Sequence, residues 1–270
     1  MSNISLTASM RSNLLSLQNT QSLMDTTQER LSTGKKVNSA IDNPSSYYTA
    51  QSLNNRASDL SSLLDSMGQA IQTIKAADEG IESITTFAQQ AKAVAQSALD
   101  SSSDTERLAY MKQFNEILTQ IDGVAKDSGY KGVNLLNGGN LSVKFNEDGT
   151  SKLDIEGKGA TAAGLGLAAQ AEDAWKTTGN IETAVTKVDA AISSLRSMAS
   201  EFGNNYSIVQ SREDFTENLI NVLTEGADKL TLADMNEESA NMLALQTRQQ
   251  LAINSLSLAS QAAQSVLKLF

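Results

Sequence analysis

Residues 241–270 read NMLALQTRQQLAINSLSLASQAAQSVLKLF, and apolar side chains recur in this stretch at spacings of three and four. That rhythm places them on one face of an α-helix. The stripe continues to the last residue, although the end of an unsupported helix normally frays, so we expect a partner to bury it. Its members are Met242, Leu245, Ala252, Leu256, Ala259, Ala263, Val266 and Phe270, with Gln249 as the polar member.

The other end of the chain carries a shorter stripe with the same spacing. Its apolar members are Leu14, Leu17, Met24 and Leu31. Gln21 and Gln28 complete the rhythm. The two stripes predict interaction helices that pair as a coiled coil, and we call their shared face the terminal seam. On pattern alone, an ordinary antiparallel helix pair that closes a bundle fits equally well. The seam glutamines either fix the register of the pair or are simply solvated.

The composition favours long helices packed side by side. The 270-residue chain has a single proline, and aromatic residues make up only 4% of it. The 21 Lys and Arg residues against 31 Asp and Glu residues give a net charge of −10, which argues against a nucleic-acid partner. Both ends of the chain are nearly neutral, as expected if neighbours bury them while the acidic middle faces water.

No segment predicts a membrane span or a signal peptide. The longest apolar runs fall well short of the roughly 20 residues that a spanning helix needs. The start of the chain, MSNISLTASMRSNLL, lacks a basic region, an apolar core and a cleavage site. We therefore expect no membrane insertion, and we expect any export to use another route.

The residue types exclude most catalytic designs. The chain contains neither histidine nor cysteine, so it cannot build a Ser-His-Asp triad, a Cys-His nucleophile or a Cys/His zinc site. Asp78 and Glu82 lie one helical turn apart, but such a pair is typical of a solvated helix face. Asp148, Asp154 and Glu156 lack the alternating ligands of a calcium loop. We therefore expect no enzyme, no cofactor and no metal site.

The first part of the chain predicts three helices. The first spans residues 4–33 and is followed by a linker over 34–39. The second runs from Pro44 to about residue 99, with Asn43 as its cap. Ser103 and Glu106 have the spacing of a capping box, which opens a third helix that continues to Ala125.

The second part of the chain begins with a glycine-rich segment at about 128–176. Residues 141–145 and 152–155 alternate like two short strands, and Asp148-Gly149 is typical of the turn between them. Residues 159–169 predict irregular structure, with a short helix over 162–174 as the alternative. A long helix capped by Asn180 then continues to a break at 231–234. The predicted fold is mainly α, with long antiparallel helices, a terminal coiled coil and a small central β-hairpin.

Two separated segments resemble the signatures of bacterial flagellins. RLSTGKKVNSAID, residues 30–42, is similar to the segment that links their inner and outer helical domains, and its marker residues are Arg30, Leu31, Ser32, Thr33, Gly34, Asn38 and Asp42. DMNEESA at 234–240 and LQTRQQL at 245–251, followed by residues 255–270, resemble the flagellin C-terminal region, particularly that of the small alphaproteobacterial type.

The resemblance implies a structural subunit that polymerises into the flagellar filament, the helical propeller of swimming motility. Residues 1–43 and 233–270 would form a terminal coiled-coil domain lining the inner tube. Residues 44–232 would form the outer-tube helical domain, with the short β and loop segment at about 128–176. Both terminal segments would fold on assembly.

The resemblance also implies partners and a location. Flagellins are exported unfolded through the flagellum's own type III apparatus, which explains the absent signal peptide, and they end in the extracellular filament. The chain would bind copies of itself, other flagellins in mixed filaments, an export chaperone, and the hook-filament junction and cap proteins.

Some flagellins activate a Toll-like innate receptor through a helix carrying Arg and Leu and a Glu on the adjoining helix. The equivalent positions here are Gln89, Ala93 and Gln113, none of which matches, so we expect weak or absent activation.

Three alternatives to a flagellin stay open at this point. A hook-filament junction protein shares related termini, a secreted helical translocator or pore protein shares the helical composition, and an enzyme ranks last.

Overall fold

A computed structural model describes residues 8–267. The helices in this part of the chain are α1 (Ala8–Thr33), α2 (Pro44–Asp100), α3 (Asp104–Asp127), α4 (Thr178–Thr231) and α5 (Met235–Leu267). The strands are β1 (Leu141–Lys144) and β2 (Lys152–Ile155), and a short 3-10 helix covers Ala174–Lys176. The mainly α fold with a small central hairpin is therefore confirmed. None of the described helices combines the length and the apolar character needed to cross a membrane.

The chain divides into two compact units. The terminal unit contains the residues up to Asn55 and those from Val222 onward, and the central unit runs from Arg56 to Asn221. The domains predicted from the sequence, 1–43 with 233–270 and 44–232, change over at the helix breaks instead. The difference arises because the first turns of α2 and the last turns of α4 belong to the terminal unit.

Two helix starts follow the capping chemistry of their sequences. The Oδ1 atom of Asn43 accepts a hydrogen bond from the backbone N–H of Ser46 at 3.1 Å, so the predicted cap of α2 is confirmed. The Oδ1 atom of Asp234 accepts hydrogen bonds from the backbone N–H groups of Asn236 and Glu237 at 2.9 and 3.3 Å. This cap ends the predicted break and starts α5.

Two other predicted caps are wrong. The side chain of Ser103 makes no capping hydrogen bond, because Glu106 instead accepts a hydrogen bond from the hydroxyl of Ser101 at 2.6 Å. Helix α4 begins at Thr178, two residues before the predicted cap Asn180. The Asn180 side-chain amide donates to the carbonyl of Ala174 at 2.7 Å, so it ties the helix to the preceding 3-10 helix.

The central hairpin forms in the predicted place. Strands β1 and β2 are antiparallel, with Leu141 opposite Ile155 and Lys144 opposite Lys152. In the connecting loop, the N–H of Gly149 donates to the carbonyl of Asn146 at 3.2 Å. Gly149 has a φ of +66°, a conformation that glycine adopts without steric cost. The alternative helix over 162–174 does not form, because residues 161–167 close into tight turns.

One buried cluster forms the core of the central unit. It combines side chains of α2, α3, the hairpin, the glycine-rich segment and α4. Phe114 of α3 lies against Trp175, with ring centroids 5.2 Å apart. Removing this apolar area from water supplies the main stabilisation of the unit.

Candidate assembly surface

Helix α1 packs against α5 in the terminal unit, and polar contacts set their antiparallel register. The guanidinium of Arg30, near the end of α1, donates to the Oε1 atom of Glu238 at the start of α5 over 2.9 Å. Farther along, the side-chain amide of Gln249 donates to the Oε1 atom of Gln21 at 2.8 Å. Glu238 is only 8% exposed, so its charge is satisfied by a bond that also aligns the two helices.

The stripe quoted from α5 lies at the face toward α1. Between residues 241 and 260, every side chain outside the stripe is exposed except that of Ser260. Ala263 and Val266 belong to α5, but their side chains are not described, and Phe270 lies outside the described residues. The stripe residues that are half-buried are Met242, Leu245, Gln249, Ala252, Leu256 and Ala259.

The seam on α1 differs from the predicted one at alternate positions. Leu17, Met24 and Leu31 are half-buried, but Leu14 is 37% exposed. Gln21 and Gln28 are exposed, so their predicted place within the seam is wrong. The inward positions between the leucines and Met24 are taken instead by Met10, Asn13, Thr20 and Thr27.

The threonines were missed because they are polar in sequence although they tolerate burial in a helix. The hydroxyl of Thr20 donates to the carbonyl of Ser16 in its own helix at 2.8 Å, so it needs no partner across the seam. The corrected face of α1 repeats every seven residues, which is the spacing of a coiled coil.

Backbone hydrogen bonds hold together the two segments that connect the terminal helices to α2 and α4. The N–H groups of Lys36 and Val37 both donate to the carbonyl of Thr231, and the N–H of Ala233 donates to the carbonyl of Gly34. Gly34 has a φ of +71°, which fits the left-handed turn that ends α1. The signature residues Ser32 and Thr33 are exposed at the end of that helix.

Asp42 organises the rest of the linker signature. Its carboxylate accepts hydrogen bonds from the backbone N–H groups of Ser39 and Asn38, at 2.9 and 3.0 Å, and from the hydroxyl of Ser39. These bonds, led by that from Ser39, lower the pKa of Asp42 below its usual value. The carboxylate therefore stays ionised at neutral pH and keeps the turn closed.

A second apolar face lies on α5, away from α1, and sequence reasoning missed it. We call Leu243, Leu251 and Leu258 the outer stripe. Their side chains are 66%, 61% and 66% exposed. The spacings of eight and seven residues place the three leucines close to one line along the helix. This signal was present in the sequence, but the more continuous stripe masked it.

The acidic side chains considered as chemical sites have ordinary partners or face solvent. Asp154 pairs with Lys152 at 2.8 Å and accepts a hydrogen bond from Ser142. Asp78 and Glu82 are exposed on α2. Among the residues that the structure describes, no group of three or more acidic side chains has the arrangement of a metal site.

Comparisons with known proteins identify the family. The model of the bacterial flagellin N-terminal helical region matches residues 4–141, and that of the flagellin C-terminal helical region matches residues 185–270. This chain belongs to the bacterial flagellin family. Flagellin FljM of Caulobacter vibrioides is 30% identical over 263 residues, which cover 95% of each chain. A flagellin of Brucella melitensis is 29% identical over 274 residues, again 95% of each chain.

Membership of the family establishes the general function. The protein is a structural subunit of the bacterial flagellar filament, which drives motility. The resemblance drawn from the two signature segments is confirmed, including its alphaproteobacterial character, since the similar flagellins come from Caulobacter, Brucella and Rhizobium. Flagellins are structural proteins, and they form a filament by self-polymerisation.

Proposed function

We propose that this flagellin joins neighbouring copies through the outer stripe of α5, while the terminal seam holds α1 and α5 together within each subunit. The observation that carries the proposal is the exposure of Leu243, Leu251 and Leu258 on the α5 face that α1 leaves open. A leucine that becomes fully buried contributes about 1.5–3 kcal/mol, so covering this stripe would contribute strongly to assembly.

The character of the terminal seam supports this division of roles. The α1 side of the seam contains Thr20, Thr27 and Asn13 beside its apolar residues, and α5 adds Gln249. Polar residues at a seam favour a defined register over maximal stability. A second copy is the expected occupant of the outer stripe because the family forms homopolymers. Contacts between different surfaces of identical subunits generate an open helix.

The two domains predicted from the sequence have separate roles in this proposal. Residues 1–43 and 233–270 would line the inner tube, and residues 44–232 would form the outer tube. The acidic middle of the chain supports an outer, water-facing position for the second domain. The subunit would be secreted into the extracellular filament and would bind an export chaperone and the junction and cap proteins.

Charged residues on the outer stripe test this proposal. The double variant Leu251→Asp, Leu258→Asp should raise the critical concentration for seeded elongation by about 100-fold or more, since burying two unpaired carboxylates is costly. The matched control is Ser255→Asp, Ala262→Asp, which adds two equally spaced carboxylates at exposed positions of α5 outside the stripe. The control should elongate within a few fold of the wild type. Equal elongation by both double variants would reject the outer stripe as a subunit contact.

We also expect weak or absent activation of the Toll-like receptor. Gln89, Ala93 and Gln113 are all exposed, so their side chains would meet a receptor directly. Purified monomer should give little signal in a receptor reporter cell. The triple variant Gln89→Arg, Ala93→Leu, Gln113→Glu should increase the signal about tenfold or more, because it restores contacts worth at least about 1.4 kcal/mol. A strong response to the wild-type monomer would contradict the prediction.

A further inference from the structure

A groove runs between α2 and α4 in the central unit. One part of it is a cavity of about 420 Å³, to which α2 contributes Ile74, Lys75, Asp78 and Glu79 and α4 contributes Phe202, Gly203 and Tyr206. A second cavity of about 410 Å³ shares Asp78 and continues between the same helices. The groove therefore extends over several helical turns on the surface of the central unit.

Gly203 in this groove has no explanation within the subunit. Glycine in a helix interior costs roughly 0.5–1 kcal/mol relative to alanine. A Cβ atom added at Gly80 in α2 would collide with the side chains of Ser128 and Leu136, so that glycine is required by internal packing. A Cβ atom added at Gly203 would meet nothing within 4 Å.

The residues around Gly203 have the character of an interface. Ile74 and Phe202 are buried and form an apolar floor, and Tyr206 is half-buried beside them. The Nζ atom of Lys75 lies 5.6 Å from the centroid of the Tyr206 ring. Asp78 and Glu79 are exposed at the edge of the cavity. An apolar centre with a charged rim is typical of protein–protein contacts.

We propose that Gly203 keeps this groove open for close approach of a neighbouring copy in the filament. The inference rests on the self-assembly proposed above, and it names a second contact surface, on the central unit. A second copy is the occupant because this chain polymerises with itself, as its family does. The absent side chain lets the backbone of the neighbour approach α4 more closely than any other residue would allow.

Two substitutions at Gly203 separate assembly from folding. Gly203→Ala should stabilise the monomer slightly through its helix propensity, yet raise the critical concentration for elongation about threefold. Gly203→Met should raise it about tenfold or more, which corresponds to about 1.4 kcal/mol. Gly123→Ala is the matched control, because a Cβ atom there also meets nothing within 4 Å and Gly123 does not line this cavity. It should stabilise the monomer and leave elongation unchanged.

A single-cysteine probe gives an independent readout, because the chain contains no cysteine. The thiol of Gly203→Cys should react with a maleimide at least about tenfold more slowly in filaments than in monomers, since a neighbour shields the groove. Equal labelling rates, or equal effects of Gly203→Ala and Gly123→Ala on elongation, would overturn the inference. Wild-type filaments that depend on the outer stripe would still form in that case, so the proposed function would stand.

Discussion

Deletion of residues 256–270 should abolish polymerisation while the central unit stays folded. The deletion removes Leu256 and Ala259 from the terminal seam and Leu258 from the outer stripe, so both proposed functions of α5 are lost together. The core cluster of the central unit contains none of the deleted residues. Seeded elongation should therefore fall below detection, while circular dichroism and cooperative unfolding of the monomer should persist.

The point variant Ala259→Asp tests the same end of the helix without shortening it. Ala259 is half-buried in the seam, so a carboxylate there would lose hydration without gaining a partner. Gln261→Asp is the matched control, since Gln261 is exposed two residues away. We expect polymerisation to fail for Ala259→Asp and to continue for Gln261→Asp. Normal filaments from the deletion or from Ala259→Asp would show that the stripe is not part of the assembly machinery.

Phe114→Ala should destabilise the central unit by about 3–5 kcal/mol, the usual cost of removing a large side chain from a packed core. Phe114 is 1% exposed and contacts Trp175, which is the single tryptophan of the chain. Urea unfolding followed by tryptophan fluorescence therefore reports directly on this site. The substitution also removes the aromatic neighbour, so the emission of the native state should change as well.

The matched control for this variant is Phe215→Ala on α4. Phe215 is 57% exposed, so the same change in side chain should cost less than about 1 kcal/mol in the monomer. A similar loss of stability in both variants would mean that the cluster around Phe114 does not form the core of the unit.

Several parts of the structure could be predicted because the chemistry that decides them is local. Proline after a capping residue marks the start of α2 through Asn43 and Pro44. Asp-Gly between two alternating segments marks the central hairpin. The predicted caps at Ser103 and Asn180 failed for the same physical reason. Each depends on which of several nearby polar groups reaches the backbone first, and Ser101 and Ala174 took part instead.

The face of α1 toward α5 could not be predicted reliably from periodicity. The predicted and observed faces share Leu17, Met24 and Leu31, and they differ only in the positions between these residues. Two adjacent faces of one helix satisfy the same spacing of three and four, so hydrophobicity favoured Leu14 over Thr20 and Thr27. The approach of α5 determined the choice, because a helix can bury only the side that its partner contacts.

The sequence by itself determined the helical class, the family and the absence of histidine and cysteine chemistry, since these depend on residue types and local spacing. Only the tertiary structure decided that Glu238 is buried against Arg30, that the leucines of the outer stripe stay exposed, and that Gly203 borders an open groove. These features depend on the distance and rotation between helices that are far apart in the chain. No periodicity within a single helix encodes that geometry.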